Sequence, residues 1–232
     1  MNILVCVKQV PNTKHMTIDP ETHRLVRHGI TSILNPSDRY VLERALRMRD
    51  LYGGKVTVIS MGAPQAQEVL VSAWLVGADR CILLTDPVFG GSDTFATASV
   101  LAAAVNYEQQ RTGETYDVIF CGKSTIDGET GQVGPELAEL LGIANFTNIA
   151  QLNFNGSSFD VEYTVDDVKL AVNAEGPVLV SYAMSGDAFL RSSIHERLQK
   201  AEEVEIPRLT FEDLSPWLNL NEIGLKLSLI HI

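Results

Sequence analysis

The residue types and spacing best suited to chemistry lie at positions 121–135, Cys-Gly-Lys-Ser-Thr-Ile-Asp-Gly-Glu-Thr-Gly-Gln-Val-Gly-Pro. Upstream, the apolar run Val118–Cys121 reads as a buried parallel strand that Gly122 ends. A helical pattern opens near Gln132. Strand, polar loop and helix start together aim backbone N–H groups and a helix dipole at one point, which suits a phosphate. Gly122-Lys123-Ser124 invites a Walker reading, but that motif needs glycine five residues before Gly122, where Asp117 stands. The Walker reading is excluded.

Other elements must hold that loop in place. Asn2–Lys8, Lys55–Met61, Arg80–Leu84 and Asp117–Gly122 are short Val/Ile/Leu-rich runs without polar alternation, as expected of parallel strands buried on both faces. Between them, Ser37–Leu51, Ala63–Val76 and Asp93–Gln110 have helical spacing, and Gly53 and Gly77 stand as stops. The alternation predicts an α/β fold: a doubly wound, mostly parallel, Rossmann-like sheet. Antiparallel hairpins are inserted at Lys14–Gly29, around a turn at Asp19–Thr22, and across Asn155-Gly156. From Asp187 the chain turns polar and helical, and after Glu205 it reads as an extended tail carrying Trp217, Leu218 and Leu220. The expected division is an α/β nucleotide-binding domain over 1–186 and a C-terminal helix and docking arm over 187–232. The arm's apolar residues suit either this chain's own core or a partner.

In such a sheet ligands sit at the carboxyl ends of strands, where the topology switches. Four loops qualify: Val10–Thr13, Asn35–Asp38, Ser60–Gly62 and Gly122–Val133. Asn35 and Asp38 are equally at home capping a helix, and Asp127 in an Asx turn.

Composition narrows the function. The 232 residues carry a net charge of −11, which disfavours nucleic acid. With 45% hydrophobic and 20% charged residues the chain reads as globular, and no apolar run has the length of a membrane span. Cys6, Cys81 and Cys121 each lie in an apolar run and read as reduced thiols of a cytoplasmic protein. The five histidines have no metal-ligand spacing.

The segment CGKSTIDGETGQVGPELAELLGI resembles the nucleotide-binding loop of electron-transfer flavoprotein β subunits, a variant of CGxQAIDGDTxQVGPxLAExLGI. MNILVCVKQVP, LNPSDRYVLERALRMRD, VTVISMGAP and LVGADRCILLTD agree with the same family in the same order. The resemblance implies an adenine-nucleotide site. Cys6 falls on the first strand at the adenine; Asn35, Pro36, Ser37 and Asp38 match the family's NPxD segment, and Met61 its residue after a strand. Gly122, Lys123, Ser124, Thr125, Ile126, Asp127, Gly128, Glu129, Thr130, Gly131, Gln132 and Val133 match its phosphate-binding loop. Gly90–Thr97, with Asp93, Thr94 and Thr97, resembles the GADTxAT segment of the flavin-bifurcating branch, as Val10-Pro11-x-Thr13 resembles its VPxT. That branch implies FAD rather than AMP in this subunit, NADH as electron donor, and a heterodimer with an α subunit that carries a second FAD. Without a bound ligand, Ser92 or Asp93 would simply cap a helix.

The C-terminal third departs from the pattern. The family's partner loop, LNEPRYPSLxGIMxAK, corresponds to Tyr182–His195, where the NEPRYP element is absent. Leu190 stands where the anchoring leucine is expected, and Arg191 is a candidate docking residue for a flavin dehydrogenase, acyl-CoA type included. No side chain presents itself as an obligatory acid or base. Two other readings stand beside the electron carrier: a structural AMP-holding subunit without hydride chemistry, and a stand-alone ATP-binding protein.

Overall fold

The computed structural model describes residues 1–12, 17–18, 25–26, 31–165, 168–183 and 191–224. In chain order the elements are β1 (Asn2–Cys6), β2 (Gln9–Pro11), β3 (Thr17–Ile18), β4 (Leu25–Val26), β5 (Ser32–Leu34), α1 (Pro36–Tyr52), β6 (Lys55–Met61), α2 (Gln67–Leu75), β7 (Arg80–Leu84) and α3 (Thr94–Thr112). They continue as β8 (Val118–Cys121), α4 (Val133–Leu141), β9 (Ala144–Ile149), β10 (Gln151–Phe154), β11 (Ser158–Val165), β12 (Val168–Glu175), β13 (Val178–Tyr182), α5 (His195–Leu198), β14 (Arg208–Leu209) and α6 (Phe211–Leu214).

Seven strands form one parallel sheet in the order β14-β7-β6-β1-β8-β13-β9. Its inner strands are apolar on both faces because helices cover both. Along β1, Ile3 and Val5 face the cluster under α1 and α2, while Leu4 and Cys6 face the cluster under α3 and α4. The chain builds β1, β6 and β7 in one direction; α3 then carries it back past β1 to β8. Loops leaving β1 and β8 therefore diverge, and the switch point at which such sheets bind ligands falls at their carboxyl ends.

The antiparallel parts agree with the turn chemistry. β3 pairs with β4, and β2 with β5, while β10, β11 and β12 form a three-stranded sheet turning at Asn155-Gly156. The predicted turn at 19–22 lies outside the described residues. Over its described residues, 191–224, the C-terminal arm is more structured than an extended tail and covers this chain's own core. β14 adds an edge strand beside β7, and Leu214, Leu218 and Ile223 are buried on the α3 face. Trp217 packs edge-on against Tyr107 of α3, with ring centroids 6.1 Å apart. No helix among the described residues is long and apolar enough to cross a membrane.

Candidate functional site

The site begins where β1 ends. Lys8, just beyond that strand, donates its backbone N–H to Asp38 Oδ2 at 2.7 Å. Asp38 lies in the first turn of α1 and is buried. Asn35 donates from Nδ2 both to Asp38 Oδ1 and to the backbone oxygen of Ser124, each at 2.9 Å. Its Oδ1 accepts from the Ile126 N–H at 3.3 Å, and Ser37 Oγ accepts from the Lys123 N–H at 2.7 Å. Two side chains of Asn35-Pro-Ser-Asp38, those of Asn35 and Ser37, therefore anchor the start of the Gly122 loop, and Asp38 holds Asn35 in place.

Helix capping does not explain these residues. Asn35 occupies the N-cap position of α1 but makes no side-chain capping bond. Its amide faces the loop instead. Buried asparagines must be hydrogen-bonded, and this one satisfies both ends of its amide on the loop that follows β8. Gly122 is fixed sterically: a Cβ there would lie 2.0 Å from Asp38 Oδ1.

Electrostatics follow from burial. Desolvation pushes the Asp38 carboxyl up to about 7, against the opposing hydrogen bonds from Asn35 and Lys8. Asp127, at the loop's outer edge, behaves differently. Its partial burial would raise it, but hydrogen bonds from Lys8 and Thr125 outweigh that and hold it below the usual range. The Lys8 Nζ–Asp127 Oδ2 pair is 2.7 Å long and closes the loop onto the end of β1.

Past the loop, α4 begins at Val133 with Gln132 in the N-cap position and no side-chain cap. The first amides of a helix have no intrahelical acceptor, and Pro135 contributes none. The opening Val133 and Gly134 amides thus keep the positive helix end available to an anion. One turn on, Glu136 Oε1 accepts from Thr94 Oγ1 at 3.1 Å, joining α3 to α4. The other oxygen, Oε2, is buried without a partner. Buried unpartnered carboxylate oxygens are unusual and call for a donor.

Strand, anchored loop, open helix start and orphan acceptor suit a phosphorylated, hydroxyl-bearing ligand. A family model described as the electron transfer flavoprotein domain matches residues 22–210. The electron transfer flavoprotein subunit beta of Thermoanaerobacterium thermosaccharolyticum is 42% identical over 226 residues, covering 97% of this chain and 84% of that protein. The chain belongs to the electron transfer flavoprotein family, as a β subunit. The subunit beta of Megasphaera elsdenii is 40% identical over 211 residues, covering 90% of this chain and 78% of the relative. Protein FixA of Azorhizobium caulinodans is 40% identical over 207 residues, covering 87% and 72% respectively.

In this β subunit the sequence-derived residues fall into three groups. Asn35, Ser37, Asp38 and the Gly122–Val133 loop meet directly. Thr94 reaches the start of α4 through Glu136, whereas Asp93 caps α3 by accepting from the Ala96 N–H at 2.8 Å, and Thr97 bonds back to the Asp93 backbone oxygen. Cys6, Met61, Val10 and Pro11 sit at or just past strand ends on the same rim, with Val10 buried in the β2–β5 ribbon. Of the docking candidates, Leu190 lies outside the described residues. Arg191 donates to Glu43 through its backbone and to Asp50 through its guanidinium, at 2.6 and 2.7 Å. Lys8 and Glu136 escaped sequence reasoning. Glu136 follows Gln132 by four residues and so shares its helix face, a usable signal.

Proposed function

We propose that this chain works as the β subunit of an α/β electron-transfer heterodimer and holds FAD in the crevice between β1 and β8. The observation that carries this reading is the combination of a loop stapled by Asn35 and Ser37, with Asp38 holding Asn35, and the unpartnered Glu136 Oε2 beside Thr94. The loop amides and the α4 N-terminus would hold a diphosphate, and Glu136 would accept from a ribose or ribityl hydroxyl. When bound, the flavin supplies the hydride and electron chemistry; NADH is the proposed donor, and a flavin dehydrogenase or low-potential acceptor the proposed partner. The protein's own task is to bind, orient and desolvate. Bifurcation of electrons toward two acceptors extends the same reading.

A specific observation favours a second reading, AMP held structurally without hydride chemistry. The Asp93 carboxylate already caps α3, which leaves that helix start less open to a second phosphate. Flavin and nucleotide counts on the co-purified α/β complex separate the two. Two FAD per heterodimer, with bleaching of the β-site flavin by NADH, supports the first. One FAD with AMP retained supports the second.

A further inference from the structure

Cys6 and Cys121 end adjacent parallel strands, β1 and β8, and are direct register partners. Both side chains face the α3 and α4 cluster, both are buried, and neither is in a disulfide. As register partners with side chains on one face, the two thiols are direct neighbours. The first turn of α4 lies over them: a Cβ built at Gly134 would be 3.4 Å from Cys121 Cβ and 3.9 Å from its Sγ. With no side chain at Gly134, sulfur has room to move on that side.

We propose that Cys6 and Cys121 form a dithiol site for mercuric ion, a soft divalent cation satisfied by two collinear thiolates. Side chains of register partners leave the sheet on one face from strands about 4.8 Å apart, and a collinear pair of metal–thiolate bonds, about 2.3 Å each as zinc makes them, spans a similar length. The two strands therefore need move little for their sulfurs to take up such a pair of bonds. Among the described residues, no group of three or more His, Cys, Asp or Glu side chains could hold a metal, so zinc finds no tetrahedral shell. Charge selects further. Binding breaks two S–H bonds, forms two S–Hg bonds and releases two protons to solvent, with no change of oxidation state. The product is neutral, whereas silver(I) or copper(I) on two thiolates would leave a buried negative charge.

The test is titration of the full chain with mercuric chloride in excess glutathione, counting metal retained through gel filtration. A single equivalent is expected, with retention lowered roughly tenfold or more in Cys6→Ala and in Cys121→Ala and unchanged in Cys81→Ala. Zinc(II) and silver(I) should be stripped under the same conditions. Mercury absorption spectroscopy on the unsubstituted chain needs no variant to fold and should show two sulfur ligands and no third. Failure of the parent chain to retain mercury, retention by either single variant, loss in Cys81→Ala, or a third ligand would each overturn the assignment. None of these readouts requires nucleotide, so they stand apart from the proposed function.

Discussion

Asp38 occupies the space that any side chain at position 122 would need, since a Cβ on Gly122 would come within 2.0 Å of its carboxylate oxygen. The carboxylate cannot swing away freely, because Lys8 N–H and Asn35 Nδ2 both hold it. Helix start and loop are therefore one steric unit.

Gly122→Ala tests that unit. Overpacking against a fixed, buried group costs on the order of 1–3 kcal/mol. The variant should melt lower and lose bound nucleotide, because the loop must move outward. A variant that keeps full nucleotide content after dialysis contradicts the steric account.

Asp38 also makes a pH prediction. Its folded carboxyl is raised to about 7 from 3.8, so between those values the folded state binds more protons than the unfolded one. Stability then falls as pH rises from about 4 to about 7 and levels off above, with an upper bound of roughly 4 kcal/mol from this group. Asp38→Asn should flatten that slope, even if its absolute stability drops through a lost hydrogen bond. Urea unfolding of both proteins across this window decides it; parallel slopes would refute the assignment.

Glu108 joins α3 to β7. Its side chain is 2% exposed and accepts from Arg80 at 3.0 and 3.1 Å and from Arg111 at 3.0 and 2.8 Å. Burial alone would raise its carboxyl, but the two guanidiniums outweigh that and hold it low. Removing the acceptor leaves two cations crowded together. Glu108→Ala should cost about 2–4 kcal/mol in chemical denaturation, whereas a cost under about 0.5 kcal/mol would mean solvent replaces the carboxylate freely.

Trp217 anchors the C-terminal arm through Tyr107. Trp217→Ala should destabilise by about 2 kcal/mol, less than a fully buried tryptophan because the side chain is only partly buried. Protease nicking beyond residue 207 should rise in parallel. Unchanged protease resistance would show that Leu214, Leu218 and Ile223 hold the arm by themselves.

Much of this architecture was legible because buried parallel strands are written as unbroken apolar runs. Val118–Cys121 and Asn2–Cys6 announced themselves in that way, and Asn155-Gly156 announced its hairpin. β9 did not. It is an edge strand whose Ala144, Asn145, Thr147 and Asn148 are exposed, and Asn148 has φ of 56°, so neither an apolar run nor clean alternation marks it. β14 is too short to carry a pattern. At the site, the residue types of Asn35 and Asp38 were legible, but their use was not. Capping and loop-stapling draw on the same short polar side chains, and only the positions of Ser124 and Ile126 distinguish them.

The most direct measurement is the nucleotide inventory of the α/β complex purified under native conditions, wild type beside Gly122→Ala. The expected result is two FAD per wild-type heterodimer and one in the variant, the missing flavin being the one at the β1–β8 rim. Equal flavin content in both proteins, or a wild-type complex whose β subunit carries no adenine nucleotide, would contradict it.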